Sequence, residues 1–347
     1  MSRRGPIRLA TRGSALARSQ AEDVRAELAD HRYEVDLVEV ETEGDKVRDE
    51  LIQNLGTTGA FVRSLDQRIL DGDADAAVHS LKDVPTEGGE DLVVAAVPRR
   101  GAANDVLVTP DGAALADLPH GAVVGTSSQR RRAELLANRP DLTVEPLRGN
   151  VDTRIEKLLA PTLQAEHERH LDEDGNGGES WFQERTELER QALGREVETE
   201  YDAIVLAEAG LRRSNLLSQL DYQRLPADEF VPAPGQGALA ITAAPGDTAE
   251  NLQTALDHPR TRVETTVERT VLAEVGGGCI APIGVHAVLR GEVVHVEARV
   301  LGPDGDREAR VSRDVDVENH ADGARDIARD LVAQGARDLI DAAEARQ

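Results

Sequence analysis

The chain has 347 residues, too many for one small core, so two or three domains are expected. Its 65 Asp and Glu against 40 Lys and Arg leave a formal charge of −25, which argues against a nucleic-acid partner unless the arginines cluster. No apolar run approaches the roughly 18–20 residues of a membrane span, and the N-terminal Met1-Ser-Arg-Arg-Gly-Pro-Ile-Arg-Leu9 has no apolar segment of the kind export signals carry, so a cytoplasmic location is expected.

From the N-terminus, short β-branched runs alternate with helical periodicity. Ile7–Thr11 reads as a strand and Ser14–Leu28 as a helix capped by Ser14. Val35–Thr42 is a strand, Ala60–Leu70 a helix, and Ala74–His79 and Leu92–Val97 are strands. The pattern resumes with strands at Val106–Thr109 and Ala122–Thr126, a helix at Ser128–Asn138, a strand at Thr143–Leu147 and a helix at Val151–Leu159. Tyr201–Ala207 and Ala238–Thr242 read as buried strands. Alternation of this kind implies α/β domains with parallel or mixed sheets. From about Asp257 the pattern changes to a helix at Arg262–Val275, three hairpin-like runs (Gly284–Leu289, Val293–Leu301, Ala309–Val317) and one long amphipathic helix, Ala321–Ala343. That is a separate α+β unit. Between them, about 160–200 reads as a solvated acidic insertion, with the turn-rich Asp172-Glu-Asp-Gly-Asn-Gly-Gly-Glu179 between two polar helices.

The composition carries a second message. Aromatics are 2% and only Lys46, Lys82 and Lys157 are lysines, so nearly all positive charge is arginine. Acid-rich, lysine-poor chains of this kind resemble proteins of salt-loading cells, where salt screens the self-repulsion. Periodicity along almost the whole chain excludes a disordered acidic tail. Unfolding followed against KCl is expected to show stability only at high salt; full stability in dilute buffer would contradict it.

Several stretches carry chemistry. Ile7-Arg-Leu-Ala-Thr-Arg12-Gly-Ser14 and Val123-Val-Gly-Thr126-Ser127-Ser128-Gln-Arg130-Arg131-Arg132 both run from a strand through a hydroxyl-rich turn into a helix start. Backbone N–H groups and the helix dipole converge there on an anion, and arginine adds a bidentate fork. Taken singly, each is ordinary capping or a surface ion pair. Taken together with Arg148 and Arg154 in Leu147-Arg148-Gly-Asn150-Val-Asp-Thr-Arg154, and with Arg213 after the strand at 201–207, they describe a site for a multiply anionic ligand. In Ala77-Val-His79-Ser80-Leu81-Lys82-Asp83-Val-Pro85 a buried strand ends in titratable groups. Asp83 is suited to general acid–base work or to stabilising a cation, or else to capping a turn before Pro85. Cys279 is the single cysteine, in Val275-Gly-Gly-Gly-Cys279-Ile-Ala-Pro-Ile-Gly284, so it forms no intramolecular disulfide and has no cysteine partner for a metal site. By its local sequence it is a small buried hydrophobe as readily as a reactive thiol.

Ala10-Thr-Arg12-Gly-Ser14, His79-Ser-Leu-Lys-Asp83-Val-Pro85, Gly125-Thr-Ser-Ser-Gln-Arg-Arg131, Leu147-Arg-Gly-Asn-Val151, Pro234-Gly-Gln236-Gly-Ala238 and Gly277-Gly-Cys279-Ile-Ala-Pro-Ile-Gly284 together resemble the porphobilinogen deaminase (hydroxymethylbilane synthase) family, in the family's order and over nearly the whole chain. The resemblance implies two α/β domains of the periplasmic-binding-protein type II kind around a cleft, plus a smaller α+β C-terminal domain. The implied limits are 1–102 with 234–256, 103–233, and 257–347. It implies a transferase that joins four porphobilinogen molecules head to tail with loss of ammonia and releases linear hydroxymethylbilane. Cys279 would carry the dipyrromethane cofactor through a thioether, and no metal is implied. Asp83 would stabilise the cationic intermediate and shuttle protons. Arg12, Ser14, Ser80, Lys82, Thr126, Ser127, Ser128, Arg130, Arg131, Arg148, Arg154, Arg213 and Gln236 would bind cofactor and substrate carboxylates, with Gln236 at the site or the hinge. A monomer with a small-molecule partner is expected.

Two departures stand out. Many relatives have lysines at or beside the positions of Asn54 and Thr58, in a loop thought to cover the site, and the insertion at about 160–200 has no counterpart in the family pattern. The competing reading is a two-lobed anion-binding protein without chemistry, which accounts for the lobes and arginines but not for a lone cysteine behind three glycines.

Overall fold

The computed structural model describes residues 5–40, 60–86, 91–173, 177–278 and 281–346. The first sheet contains β1 (Ile7–Arg12), β2 (Val35–Val40), β3 (Ala76–Ser80) and β4 (Val93–Ala96). The second contains β5 (Asp105–Val108), β6 (Val123–Gly125), β7 (Thr143–Glu145), β8 (Ala203–Ala207) and β9 (Tyr222–Arg224). The chain then returns, and β10 (Leu239–Ala243) completes the first sheet. The strand orders are β2-β1-β3-β10-β4 and β7-β6-β8-β5-β9. In each, three parallel strands are followed by one antiparallel strand and an edge strand that pairs with it. The two lobes thus repeat one topology, and each receives its antiparallel strand through a crossover from the other lobe or back.

Helices cover both sheets. In the first lobe, α1 (Ala15–Asp30) sends Ala21, Val24 and Leu28 into a core with Leu9, Val78 and Ile241, while α2 (Ala60–Leu70) packs Leu65 and Ile69 against Ala10, Val40 and Ala77. In the second, α3 (Gln129–Asn138) buries Leu135 with Val124, Val144 and Phe230. On the other face α4 (Val151–Glu173) buries Ile155 and Leu158 with Val106, Ile204 and Leu211. The α4 helix runs well beyond the expected stop at Leu159, straight through Pro161. A proline removes one helical hydrogen bond, but Leu163 continues the apolar face into a small cluster with Trp181 and Ala192. Those partners come from α5 (Gly177–Gln183) and α6 (Glu187–Leu193), so the expected solvated insertion has a core of its own.

After α7 (Glu208–Arg213) and α8 (Asp247–Leu256), the third unit opens with α9 (Pro259–Val275). It packs with α10 (His320–Ala333) and α11 (Ala336–Glu344) on an antiparallel sheet of β11 (Ile283–Arg290), β12 (Val293–Leu301) and β13 (Glu308–Asp316). The single helix expected over 321–343 is two. Gly335 takes a left-handed conformation (φ 90°) and lets Ala336, Leu339 and Ile340 turn onto the core that Ile327 and Leu331 already fill.

Candidate active site

The turn that bears Asp83 is shaped by its apolar neighbours. Leu81 and Val84 are buried with Val62, Val97, Ala238 and Ala240, and the Leu81 N–H donates to Ala238 O at 3.0 Å. A single 3-10 turn, Leu81–Asp83, fits between these two anchors. Lys82 and Asp83 are therefore pushed outward, Lys82 half-buried and Asp83 exposed. Ser80, the last residue of β3, accepts a 3.5 Å contact from Gln20 Nε2 of α1.

The two hydroxyl turns are true helix starts. Ser14 Oγ accepts from Ala17 N and Ser128 Oγ from Arg131 N, both serines being in extended backbone. Thr126 Oγ1 accepts from Ser128 N at 3.2 Å, and Ser127 Oγ donates to Leu147 O at 2.8 Å, tying this turn to the next. Arg12, Ser80, Thr126, Arg148 and Arg213 all lie at or just after the C-terminal ends of strands or in the segments that follow them, where open α/β sheets bind ligands. The lobes meet with these ends together: Ser19 Oγ of α1 donates to Arg213 O at 2.7 Å, and Gly210 lies against Leu16 and Val151. Arg154 Nε donates to Gly149 O (2.8 Å) and Arg213 Nη2 to Gly237 O (2.8 Å), which fixes both guanidinium planes.

Electrostatics link the lobes. Burial pulls the Lys82 ammonium below its ordinary value; Asp83 opposes this and the charges of Arg131 and Arg130 add to it. Burial and Arg131 together bring the Arg154 guanidinium down to about 10. Burial also lowers Arg213. The positive charge of Arg131 in the second lobe thus weakens the hold on protons of both Lys82 in the first lobe and Arg154 in its own. A polycarboxylate placed among them would relieve that repulsion, so these residues fit the anionic group the resemblance implies.

Arg130 and Arg131 have their guanidinium groups engaged inside the protein, where direct carboxylate ligands were expected, and Gln236 sits between the two crossovers, at the hinge. All three are buried and turned onto Asp105, the first residue of β5. Asp105 accepts from Arg130 Nη2 (2.7 Å), Arg131 Nε and Nη2 (3.1 and 2.8 Å) and Gln236 Nε2 (2.9 Å). Arg130 Nη1 also donates to Glu134 and to Val231 O, Arg131 Nη1 to Val205 O, and Gln236 Nε2 to Ala103 O. Burial alone would raise the Asp105 carboxyl, but the two arginines outweigh it and hold it far below the carboxylate range. The physical reason for the inward turn is that an ionised carboxylate with no exposed surface must be matched by buried cations. Asp105 is the functional neighbour that sequence reasoning missed, since a strand-opening Asp 25 residues before its arginine gives no local signal. Among the described residues no group of three His, Cys, Asp or Glu is arranged to hold a metal ion, and no helix is long and apolar enough to cross a membrane.

Cys279 and the loop with Asn54 and Thr58 lie outside the described residues. The approach to Cys279 is described: Gly276, Gly277 and Gly278 have φ of 96°, 84° and 58°. A Cβ on Gly277 would stand 2.7 Å from both Ala281 and Ile340, so only glycine fits the turn that delivers the thiol.

The porphobilinogen deaminase, dipyromethane cofactor binding domain profile matches residues 7–166 and 188–251, and the porphobilinogen deaminase C-terminal domain profile matches 263–333. The chain belongs to the porphobilinogen deaminase family. It is 49% identical to a probable porphobilinogen deaminase of Halobacterium salinarum, over 96% of this chain and 97% of that one. It is 41% identical to a probable porphobilinogen deaminase of Methanococcoides burtonii (96% and 95%) and 38% identical to the porphobilinogen deaminase of a Nitratiruptor species (98% and 97%). Family membership makes the chain a transferase of tetrapyrrole biosynthesis with a dipyrromethane cofactor-binding domain. Residues 167–187, within the expected insertion, fall between the matched segments.

Proposed function

We propose that this chain is a hydroxymethylbilane synthase, condensing four porphobilinogen molecules stepwise with loss of ammonia, and that Asp83 carries the chemistry. The observation that bears most weight is that the charge of Arg131 reaches both Arg154 and, across the lobe junction, Lys82, the residue before an exposed Asp83. When bound through Cys279, the dipyrromethane supplies the pyrrole terminus to which substrate is joined. Each porphobilinogen brings an acetate and a propionate, and Arg12, Lys82, Arg148, Arg154 and Arg213 receive them. Ser14 and Ser128 each spend a lone pair on a helix cap and keep an O–H for a carboxylate. The Asp105 cluster acts one layer behind: it fixes the Arg131 plane, so that the charge Arg131 presents to the ligand is held without reorganisation. Asp83 follows Lys82 on a turn pinned by Leu81 and Val84, so its carboxylate is held where substrate cations form, and it takes up the proton released when each new bond is made. The lobes divide at 102, 233 and 256, and the enzyme acts as a cytoplasmic monomer.

Asp83→Ala tests this reading. Its circular dichroism and cofactor loading should match the wild type, while ammonia release from porphobilinogen falls by about 10²–10⁴-fold. Near-normal tetrapyrrole production would remove Asp83 from its role.

A further inference from the structure

The α9 helix reaches the Asp83 turn from the third unit. Arg269, half-buried on this helix, donates from Nη1 to Leu81 O (3.2 Å) and Val84 O (2.7 Å), and from Nη2 to Pro85 O (2.7 Å). One guanidinium thus spans both ends of the turn that holds Lys82 and Asp83. Leu81 and Thr86 border a cavity of about 260 Å³ whose other wall is α9, through Thr265, Thr266, Thr270 and Ala273. Pro85 has no N–H and cannot tie the chain down by donating. Close packing therefore holds Leu81 and Val84 from the sheet side, and hydrogen bonds from Arg269 hold the backbone from the other.

The neighbouring residue works on the lobe crossovers. Glu268 accepts from Arg100 and from the Gly235 N–H, which lie on the outgoing and returning crossovers, and from Ala287 N of β11. Six residues beyond Arg269 the helix ends at Val275, and Gly276–Gly278 lead to Cys279. At 1.5 Å per residue that is about 9 Å of rigid helix. The same element grips the catalytic turn and carries the chain to the cofactor cysteine.

We propose that Arg269 is a positioning residue for Asp83: it fixes the Leu81–Pro85 backbone relative to the helix that delivers Cys279. This rests on the role given to Asp83 above. A carboxylate displaced by about 1 Å loses rate steeply while the arginines that bind substrate are untouched, so Arg269 acts on turnover and not on affinity. The variants are Arg269→Met, which keeps the aliphatic stem, and Arg269→Lys, which keeps the charge but loses the fork.

Amide hydrogen exchange over 81–86, measured on the full-length protein, reads the restraint without any catalysis. In Arg269→Met it should rise about tenfold or more, with β1 and β10 unchanged, since three charge-assisted hydrogen bonds are lost. In the same protein kcat should fall at least about tenfold with KM for porphobilinogen within about twofold. Arg269→Lys should recover part of both, and it replaces the methionine variant if that chain does not fold. Unchanged exchange over 81–86 overturns the proposal. So does loosened exchange with full kcat, or a rise in KM at constant kcat. If the wild type made no tetrapyrrole at all, the exchange result would still stand and the failure would belong to the proposed function.

Discussion

The clearest energetic consequence of this architecture is at Glu268. Its side chain has no exposed surface and that of Arg100 retains 8%. Oε1 accepts from Arg100 Nη1 (2.7 Å) and Ala287 N (2.8 Å), and Oε2 from Arg100 Nη2 (3.0 Å) and Gly235 N (2.7 Å). Glu268→Gln is nearly isosteric, yet whichever way the amide sits, its NH2 group faces two donors that both pointed at oxygen. The substitution also leaves the Arg100 guanidinium buried without its counter-charge. Breaking a buried pair of this kind costs about 3–5 kcal/mol. Even about 3 kcal/mol is a factor of more than 100 in an equilibrium constant. With an m-value of about 3 kcal/mol/M, the urea midpoint at constant KCl should drop by about 1 M. Three units need not unfold together, so the midpoint is best followed by hydrogen exchange in β11 and the 231–238 crossover as well as by circular dichroism. The exposed Asp322–Arg325 pair serves as control, and Asp322→Asn should leave the midpoint in place. A Glu268→Gln midpoint equal to that of the wild type would refute the reasoning, because it would mean that the crossovers are not held by this carboxylate.

Two further outcomes follow from single residues. Gly305, in the β12–β13 turn, has φ 72°, and a Cβ there would meet Ala137 N of α3 at 2.4 Å. Gly305→Ala should destabilise by about 1–2 kcal/mol from the left-handed backbone alone, more with the clash, and loosen the contact between the third unit and the helix that begins at Ser128; an unchanged urea midpoint would contradict it. Burial pushes the Glu134 carboxyl from 4.5 up to about 8, against the pull of Arg130. Between those values the folded chain holds a proton the unfolded chain has released, so the stability Glu134 contributes is full below about 4.5 and is lost as pH rises through about 8. Glu134→Gln should flatten the decline of the urea midpoint over that window, and a decline as steep as that of the wild type would be the contrary result.

What the sequence revealed depended on how local the cause was. Strands such as β3 and β12, and the caps at Ser14 and Ser128, are set by neighbouring residues, and periodicity and cap chemistry find them. The passage of α4 through Pro161 was hidden because its cause is the contact of Leu163 with Trp181, a tertiary gain that outweighs one missing hydrogen bond. The helix break at Gly335 was equally hidden, since a glycine inside an apolar pattern reads as tolerated until the curvature of the core demands a left-handed residue. At the site, the arginine-rich turns were recognisable as anion-binding elements. Which arginines face inward was not, because that is decided by Asp105 on β5, whose arginine partners begin the helix after β6, two strands away across the sheet. The grips of Glu268 and Arg269 on distant backbone were invisible for the same reason.

The central claim is that this chain builds a tetrapyrrole on a group held by its one cysteine, and intact mass tests it most directly. Protein made in cells that supply porphobilinogen should weigh more than its sequence by a dipyrromethane. Adding porphobilinogen should produce further steps of one pyrrole unit each, and Cys279→Ser should show neither. A wild type that forms hydroxymethylbilane at the bare sequence mass, or a Cys279→Ser chain that still carries the increment, would contradict the account.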